Sequence, residues 1–249
     1  PHLPPLSGGT EPGGDPKKKG SMYYDSRGTG AFGCAVFVDA VEFTDSSYRT
    51  IRSRSNRAVV GGSMGGYGAL LAGTLYPDRF SAVAALSPSI CGLDVIDTDL
   101  YVPFLRWVLG KKGAREAGRN DLADILDTCD LVFSPERPLV PSIVRDASGL
   151  SVSMDPVARA NWYAADAGNL VLTHPDAFSD VAVRISCEER DEFGFAEPDR
   201  RFAAVLEKKG IPHELHIFRD NRASRLSAHT VGIAFQIMDG LRFCLERIG

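Results

Sequence analysis

"VVGGSMGGYGAL", residues 59–70, decides how this chain is read. Two β-branched residues run into four glycines that bracket one serine, Ser63. Residues without side chains on both sides of a serine mean a sharply bent backbone, a close approach to that serine, or both. Ahead of it, "RAVVGG" reads as a short apolar strand. Behind it, "MGGYGALLAGTLY" carries small and apolar residues at helical spacing and stops at Pro77. Gly61-Gly62-Ser63-Met64-Gly65 therefore fits G-x-S-x-G in a strand–turn–helix setting. In such an elbow the serine sits on a strained turn and its hydroxyl projects above the sheet. Its neighbours must be small, a need that Gly61, Gly65 and Gly66 meet. The Met64 N–H, at the helix start, points to where an oxyanion develops. Neither G-x-x-x-x-G-K-[ST] nor G-x-G-x-x-G occurs here, which argues against a phosphate loop or a dinucleotide site.

Outward from the elbow, strands and helices alternate. "FSAVAALS", "VAVRISC" (181–187) and "HELHIF" (213–218) read as further strands. "EPDRRFAAVLEKKG" reads as a helix with Phe202, Val205 and Leu206 on one face and Gly210 as its stop, and "TVGIAFQIMDGLRFCLERI" as a closing amphipathic helix. This order predicts an α/β fold, a mostly parallel sheet flanked by helices. One segment, about 91–175, interrupts the alternation with a mainly helical pattern; Asp155 is its clearest N-cap, with Pro156 at the first helical position. An insert of that size predicts a helical cap over one end of the sheet. Residues 1–20, rich in Pro and Gly, predict a linker or loop, leaving 21–249 as one domain with the cap inserted.

The chain has 249 residues, 44% apolar, with net charge −4. That suffices for one sizeable core and offers no basic field for nucleic acid or an anionic membrane. No apolar run approaches the ~20 residues of a membrane span; "YVPFLRWVLG" is half that and contains Pro103 and Arg106. Five scattered cysteines without C-x-x-C predict buried free thiols rather than disulfides or zinc ligands. The expected compartment is cytoplasmic, with secretion as the alternative. The chain lacks an initiator Met, so processing or truncation is also expected.

A serine nucleophile needs a base, and the base needs an orienting group. Of five histidines, His2 lies in the linker, His174 in the insert, and His213 and His216 on a strand. His229 lies in the loop "RDNRASRLSAHT" before the last helix, where a base reaches the top of the sheet. For the acid, "SCEERDEFGF" after the 181–187 strand offers Glu188, Glu189, Asp191 and Glu192. A short carboxylate a few residues past the strand end favours Asp191, with Glu188 second.

"GGSMGGYGALLAGTLYPDRFSAVAALSPSICG", "CEERDEFGF" and "SAHT" resemble the α/β-hydrolase esterases of the esterase D type. This group includes S-formylglutathione hydrolases, feruloyl esterase domains and, more distantly, mycobacterial mycolyltransferases. "GSMYYDS" and "YRTI" also look like segments of that family. The resemblance covers roughly residues 20–90 and 180–249. It implies Ser63, Asp191 and His229 as nucleophile, acid and base, the Met64 N–H in the oxyanion site, and no metal or organic cofactor. Three features depart from the family: the Ala228-His229-Thr230 setting of the base, the 91–175 insert, and the lack of readable strands before "GSMYYDS". The last raises the expectation that a second chain or an upstream segment completes the sheet and the oxyanion site.

The expected activity is hydrolysis of a carboxylic ester or thioester through an acyl-enzyme. The alternatives are an acyltransferase with the same triad and an inactive hydrolase-like binding subunit. The insert holds Tyr101, Phe104, Trp107, Trp162 and Tyr163. Of these, Trp107, Trp162 and Tyr163 are the candidates for substrate contact, and a core role for the cap's own packing competes with that reading. Asp121, Asp124, Asp127 and Asp130, at i, i+3 spacing, read as a solvated face in preference to a cation site. Arg219, Arg222 and Arg225 near His229, and Lys17 to Lys19, read as surface charges in preference to anion contacts.

Overall fold

The computed structural model describes residues 21–91, 128–137, 144–146, 149–151, 155–220 and 227–249. The chain divides into two compact units, one made of Phe37–Leu93 with Asp166–Gly249, the other of Pro1–Val36 with Asp94–Ala165.

The first unit is built on a parallel four-stranded sheet. Its strands are β1 (Ala58–Gly62), β2 (Ala82–Leu86), β3 (Ala182–Glu188) and β4 (His213–Phe218), in that spatial order. Ala58 pairs with Ala82, Ala82 with Ala182, and Val183 with His213. The four readable strands are thus the four of this sheet. β2 is buried along its whole length, as a near-continuous apolar run in a parallel sheet should be. Successive strand side chains point to opposite faces. Ala82 and Ala84 on one face pack with Phe243 and Cys244, and Ala58, Val60 and Ala182 border that cluster. Phe243 and Cys244 belong to α5 (Ala228–Leu245), the closing helix, which lies against β1, β2 and β3. Small strand residues let that long helix approach the sheet closely.

Helix α2 (Met64–Leu75) follows β1 and packs on β1 and β2. Nine of its residues are buried, which fits a helix with no polar face. Helices α1 (Ala40–Ser47), α3 (Ala167–Thr173) and α4 (Ala196–Lys208) complete the unit. Phe202, Val205 and Leu206 of α4 are buried, and Gly210 ends that segment with φ +70°.

In the second unit, Asp25–Ser26 pairs antiparallel with Gly30–Ala31, and Val144–Asp146 with Gly149–Ser151. Among the described residues the first of these pairs is the sole strand structure before β1. The helix Pro156–Ala165 starts as expected, the Asp155 carboxylate accepting from the N–H groups of Val157 (2.8 Å) and Ala158 (3.1 Å). It stops where Asp166 caps α3. Trp162 forms the centre of this unit's described core. Its ring packs edge-on against Phe133 (5.2 Å), and Phe133 against Tyr24 (5.8 Å). The Trp162 indole N–H donates to Asp130 Oδ1 at 3.1 Å. Asp130 is therefore 4% exposed, not part of a solvated stripe. Spacing alone does not reveal a buried donor some thirty residues away. Asp121, Asp124, Asp127, Trp107, Tyr101, Phe104, Arg222, Arg225 and Lys17 to Lys19 lie outside the described residues.

Among the described residues no helix is long and apolar enough to cross a membrane. Four of the five cysteines are buried, Cys34 is half-buried, and all five are free thiols.

Candidate active site

Ser63 stands between β1 and α2 with φ 57° and ψ −118°, a left-handed conformation that a serine adopts only under constraint. The constraint is visible on both sides. The Ser63 N–H donates to the Leu86 carbonyl (2.8 Å), and its carbonyl accepts from Tyr67 N–H (3.1 Å) in the first turn of α2. A Cβ on Gly61 would come within 2.0 Å of the Gly65 carbonyl oxygen, so strand and helix nearly touch there. Gly65 differs from the sequence expectation: a Cβ there would meet nothing within 4 Å, so crowding does not demand a glycine. Met64 is the first residue of α2, and its N–H is among those left unused by helical bonding.

Asp191 and His229 also follow strand ends. Asp191 comes three residues after β3 and His229 after β4, so all three residues lie past carboxyl ends of parallel strands, where open α/β sheets hold their sites. His229 Nδ1 lies 2.6 Å from Asp191 Oδ2. The His229 residue is 6% exposed, and the Asp191 side chain is fully enclosed. The other Asp191 oxygen accepts from Phe193 N–H (2.9 Å), which fixes the carboxylate plane. His229 lies in the first turn of α5, not in the preceding loop, because Ser227 serves as N-cap and accepts from Thr230 N–H at 3.1 Å. A Cβ on Gly62 would lie 2.6 Å from Ile233 Cγ2, so the turn of α5 after His229 rests on the strand end beside Ser63.

Glu188, the second acid candidate, is fully buried and engaged elsewhere. It holds the Arg190 guanidinium (2.9 Å) and accepts from the N–H groups of Arg190 and Asp220. It staples the β3 loop to the end of β4. Glu189 pairs with Arg219 at 2.8 Å, which gives that arginine a surface partner. His174 and His213 hydrogen-bond by Nδ1 to backbone carbonyls, and His216 sits beside Phe218 on β4.

Sequence reasoning missed two residues that touch His229, Phe193 and Phe195, and weighed Glu192 only among the candidate acids. Phe193 and Phe195 meet its imidazole edge-on, at 4.7 and 5.5 Å between ring centroids. The Glu192 carboxylate accepts from the His229 backbone N–H at 2.8 Å and from the Ser227 hydroxyl. Burial pushes the Glu192 carboxyl up, but the bonds from Ser227 and His229 outweigh it and hold the group below the usual glutamate range. The alternation in "DEFGF" was the available signal, since Gly194 at φ +75° lets the loop fold back so that both phenylalanines face one side. Behind Asp191 lies a buried cluster. Cys187 Sγ is 3.8 Å from Asp191 Oδ2 and accepts from Ser87 Oγ at 3.4 Å. The Cys91 thiol donates to Asp199 Oδ1 at 3.2 Å. Burial, reinforced by the Asp191 charge, pushes the Asp199 carboxyl well up, against the thiol bonds that favour its ionised form. Among the described residues no group of three His, Cys, Asp or Glu is placed to hold a metal ion.

Residues 40–232 match the family model Esterase, described as "Putative esterase". No curated protein matches the chain by sequence. In fold it is similar to a ferulic acid esterase, with 16% identity and a TM-score of 0.51 over 89% of this chain and 64% of that one. It is similar to an S-formylglutathione hydrolase from Agrobacterium tumefaciens, with 18% identity and a TM-score of 0.56 over 92% and 63%. It is also similar to MPT51 (FbpC1) of Mycobacterium tuberculosis, with 12% identity and a TM-score of 0.50 over 92% and 74%. The chain spans less than two thirds of the length of the first two. At these identities the structural likeness shows the fold, an α/β-hydrolase. The family match runs from α1 through the serine elbow to the first turn of α5, well over half of the sequence, and on that ground the chain belongs to the esterase family.

Proposed function

We propose that this chain hydrolyses a carboxylic ester or thioester with Ser63 as nucleophile, His229 as general base and Asp191 as its orienting acid. The observation that carries the proposal is the buried 2.6 Å contact between His229 Nδ1 and Asp191, set past the same sheet edge as a serine held at φ 57°. With Asp191 accepting from Nδ1, the Nε2 lone pair is left to receive a proton. His229 takes the Ser63 hydroxyl proton as Ser63 Oγ bonds to the carbonyl carbon. The Met64 N–H and the start of α2 stabilise the oxyanion. Collapse of the tetrahedral species breaks the bond to the leaving group, which takes the proton from His229. Water, deprotonated by His229, then adds to the acyl-enzyme, and Ser63 leaves with its proton restored. The family membership supports an ester as substrate. Of the aromatic candidates for substrate contact, Tyr163 is 39% exposed and Trp162 4%.

The test is mass spectrometry after reaction with a fluorophosphonate, combined with p-nitrophenyl ester turnover. One adduct on Ser63 is expected in the parent. Ser63→Ala should give no adduct and lose about 10⁶ in kcat, the usual result of deleting a triad nucleophile. Turnover by Ser63→Ala within tenfold of the parent would refute the assignment.

A further inference from the structure

We propose that Glu192 is a positioning residue for His229, anchoring the base by its main chain as Asp191 anchors it by its ring. This rests on the reading of His229 as the general base. The five residues Asp191 to Phe195 surround one histidine with four separate contacts. Asp191 accepts from Nδ1, Glu192 accepts from the backbone N–H, and Phe193 and Phe195 set their rings against the imidazole. A ring held only at Nδ1 still swings if its Cα moves. The Cα of His229 sits in the first turn of a helix, where N–H groups lack helical partners and ends fray. Glu192 closes that gap. Its Oε2 takes the His229 N–H at 2.8 Å, while Oε1 takes the hydroxyl proton of Ser227, whose oxygen in turn accepts from Thr230 N–H. The start of α5 is thereby tied to the same short loop that carries the orienting acid. Asp191 itself is fixed by an N–H of that loop and a carbonyl of the strand end: its carboxylate accepts from Phe193 N–H, and its own N–H donates to Glu188 O (3.0 Å). Acid and base thus move as one body, their 2.6 Å contact set by the Asp191–Phe195 loop and the first turn of α5.

A carboxylate at a helix start also stabilises the helix, so the experiment separates position from stability. The variants are Glu192→Ala, which removes the acceptor, and Glu192→Gln, which keeps an acceptor oxygen without the charge. Four quantities are read on each: kcat, KM, the rate of fluorophosphonate labelling at Ser63, and the proton resonance of His229 Nδ1. Small misplacements of a catalytic group cost up to about 10²-fold. Glu192→Ala should lower kcat and the labelling rate by about 10- to 100-fold with KM within about threefold. The Nδ1 proton signal should broaden, while the thermal midpoint stays above the assay temperature. Glu192→Gln should recover kcat to within about fivefold of the parent and keep the Nδ1 signal. Parent-like labelling in folded Glu192→Ala, an unchanged Nδ1 resonance, or a Gln variant no better than Ala would overturn the proposal. A parent chain left unlabelled at Ser63 would instead overturn the catalytic reading, and the positioning role with it.

Discussion

Asp199 is a carboxylic acid whose proton the fold holds more tightly than water does, because burial pushes its carboxyl well above the usual aspartate range. It lies in the first turn of α4, where a carboxylate normally gains from the helix dipole. Full burial opposes that gain, and the negative Asp191 nearby adds to the cost of ionising it. Its pKa is raised on folding, so the native state binds this proton more tightly than the unfolded chain, which releases it above about pH 4. The contribution of Asp199 to stability is therefore complete below the unfolded pKa and is lost as pH rises towards the folded one. Asp199→Asn removes this dependence. Denaturant unfolding of parent and variant at rising pH above about 4 should show the variant gaining on the parent. Parallel curves would mean that Asp199 is ionised in the fold. The two acids near His229 separate in a different way. Asp191→Asn puts an amide on Nδ1, favours the wrong tautomer and should cost about 10⁴ in kcat with the fold retained. Glu188→Gln leaves His229 untouched but weakens the hold on Arg190. It should lower stability by about 1–3 kcal/mol with kcat nearly unchanged. Measuring kcat and unfolding on both variants tells the catalytic carboxylate from the structural one.

At the scale of elements, the elbow is a contact between a strand and the helix that follows it. Gly61 is locked by the Gly65 carbonyl 2.0 Å from its would-be Cβ, whereas Gly65 faces open space. Gly61→Ala should lose the Ser63 conformation and at least the ~1–3 kcal/mol typical of overpacking. Gly65→Ala should fold as well as the parent, with the better helix propensity of alanine worth up to about 1 kcal/mol. Equal stability of the two variants would show that the elbow is not set by this contact. The same contrast shows what the sequence could convey. The strands "RAVVGG", "FSAVAALS" and "VAVRISC" were legible because alternation and apolar runs are local, and the strand–turn–helix at Ser63 was legible because its motif is local. The difference between Gly61 and Gly65 was not, since it depends on which way each Cα points across a turn. Side-chain length and position favoured Asp191 over Glu188, but the engagement of Glu188 with Arg190 and Asp220 depends on how the loop closes. The placement of His229 inside α5 depends on Ser227 and Glu192 meeting from loops about 35 residues apart in sequence.

At the scale of the whole molecule, two units each have their own aromatic or alanine-rich core. In one, Ala82 and Ala84 of the sheet pack beneath Phe243 of α5. In the other, Tyr24, Phe133 and Trp162 come from three distant stretches of sequence, one of them the segment 21–36 ahead of α1. The grouping of residues 94–165 with 1–36 was not legible, because no pattern in "GSMYYDS" announces a partner a hundred residues on. Trp162 carries that grouping. It is 4% exposed, covers Phe133 and gives its indole proton to the buried Asp130. Truncating a buried tryptophan costs about 3–5 kcal/mol. Trp162→Ala also removes a hydrogen bond from a buried carboxylate, which cannot be rehydrated without opening the core. Hydrogen exchange followed by mass spectrometry should show faster exchange in the helix Pro156–Ala165 and around Phe133, with protection in β2 unchanged. If Trp162 serves this core alone, relative kcat/KM across acyl chains of increasing length stays as in the parent. If its indole also contacts the acyl group, that profile shifts by about 1–3 kcal/mol at one chain length. The two measurements on one variant decide whether this tryptophan holds its unit together, selects the substrate, or does both.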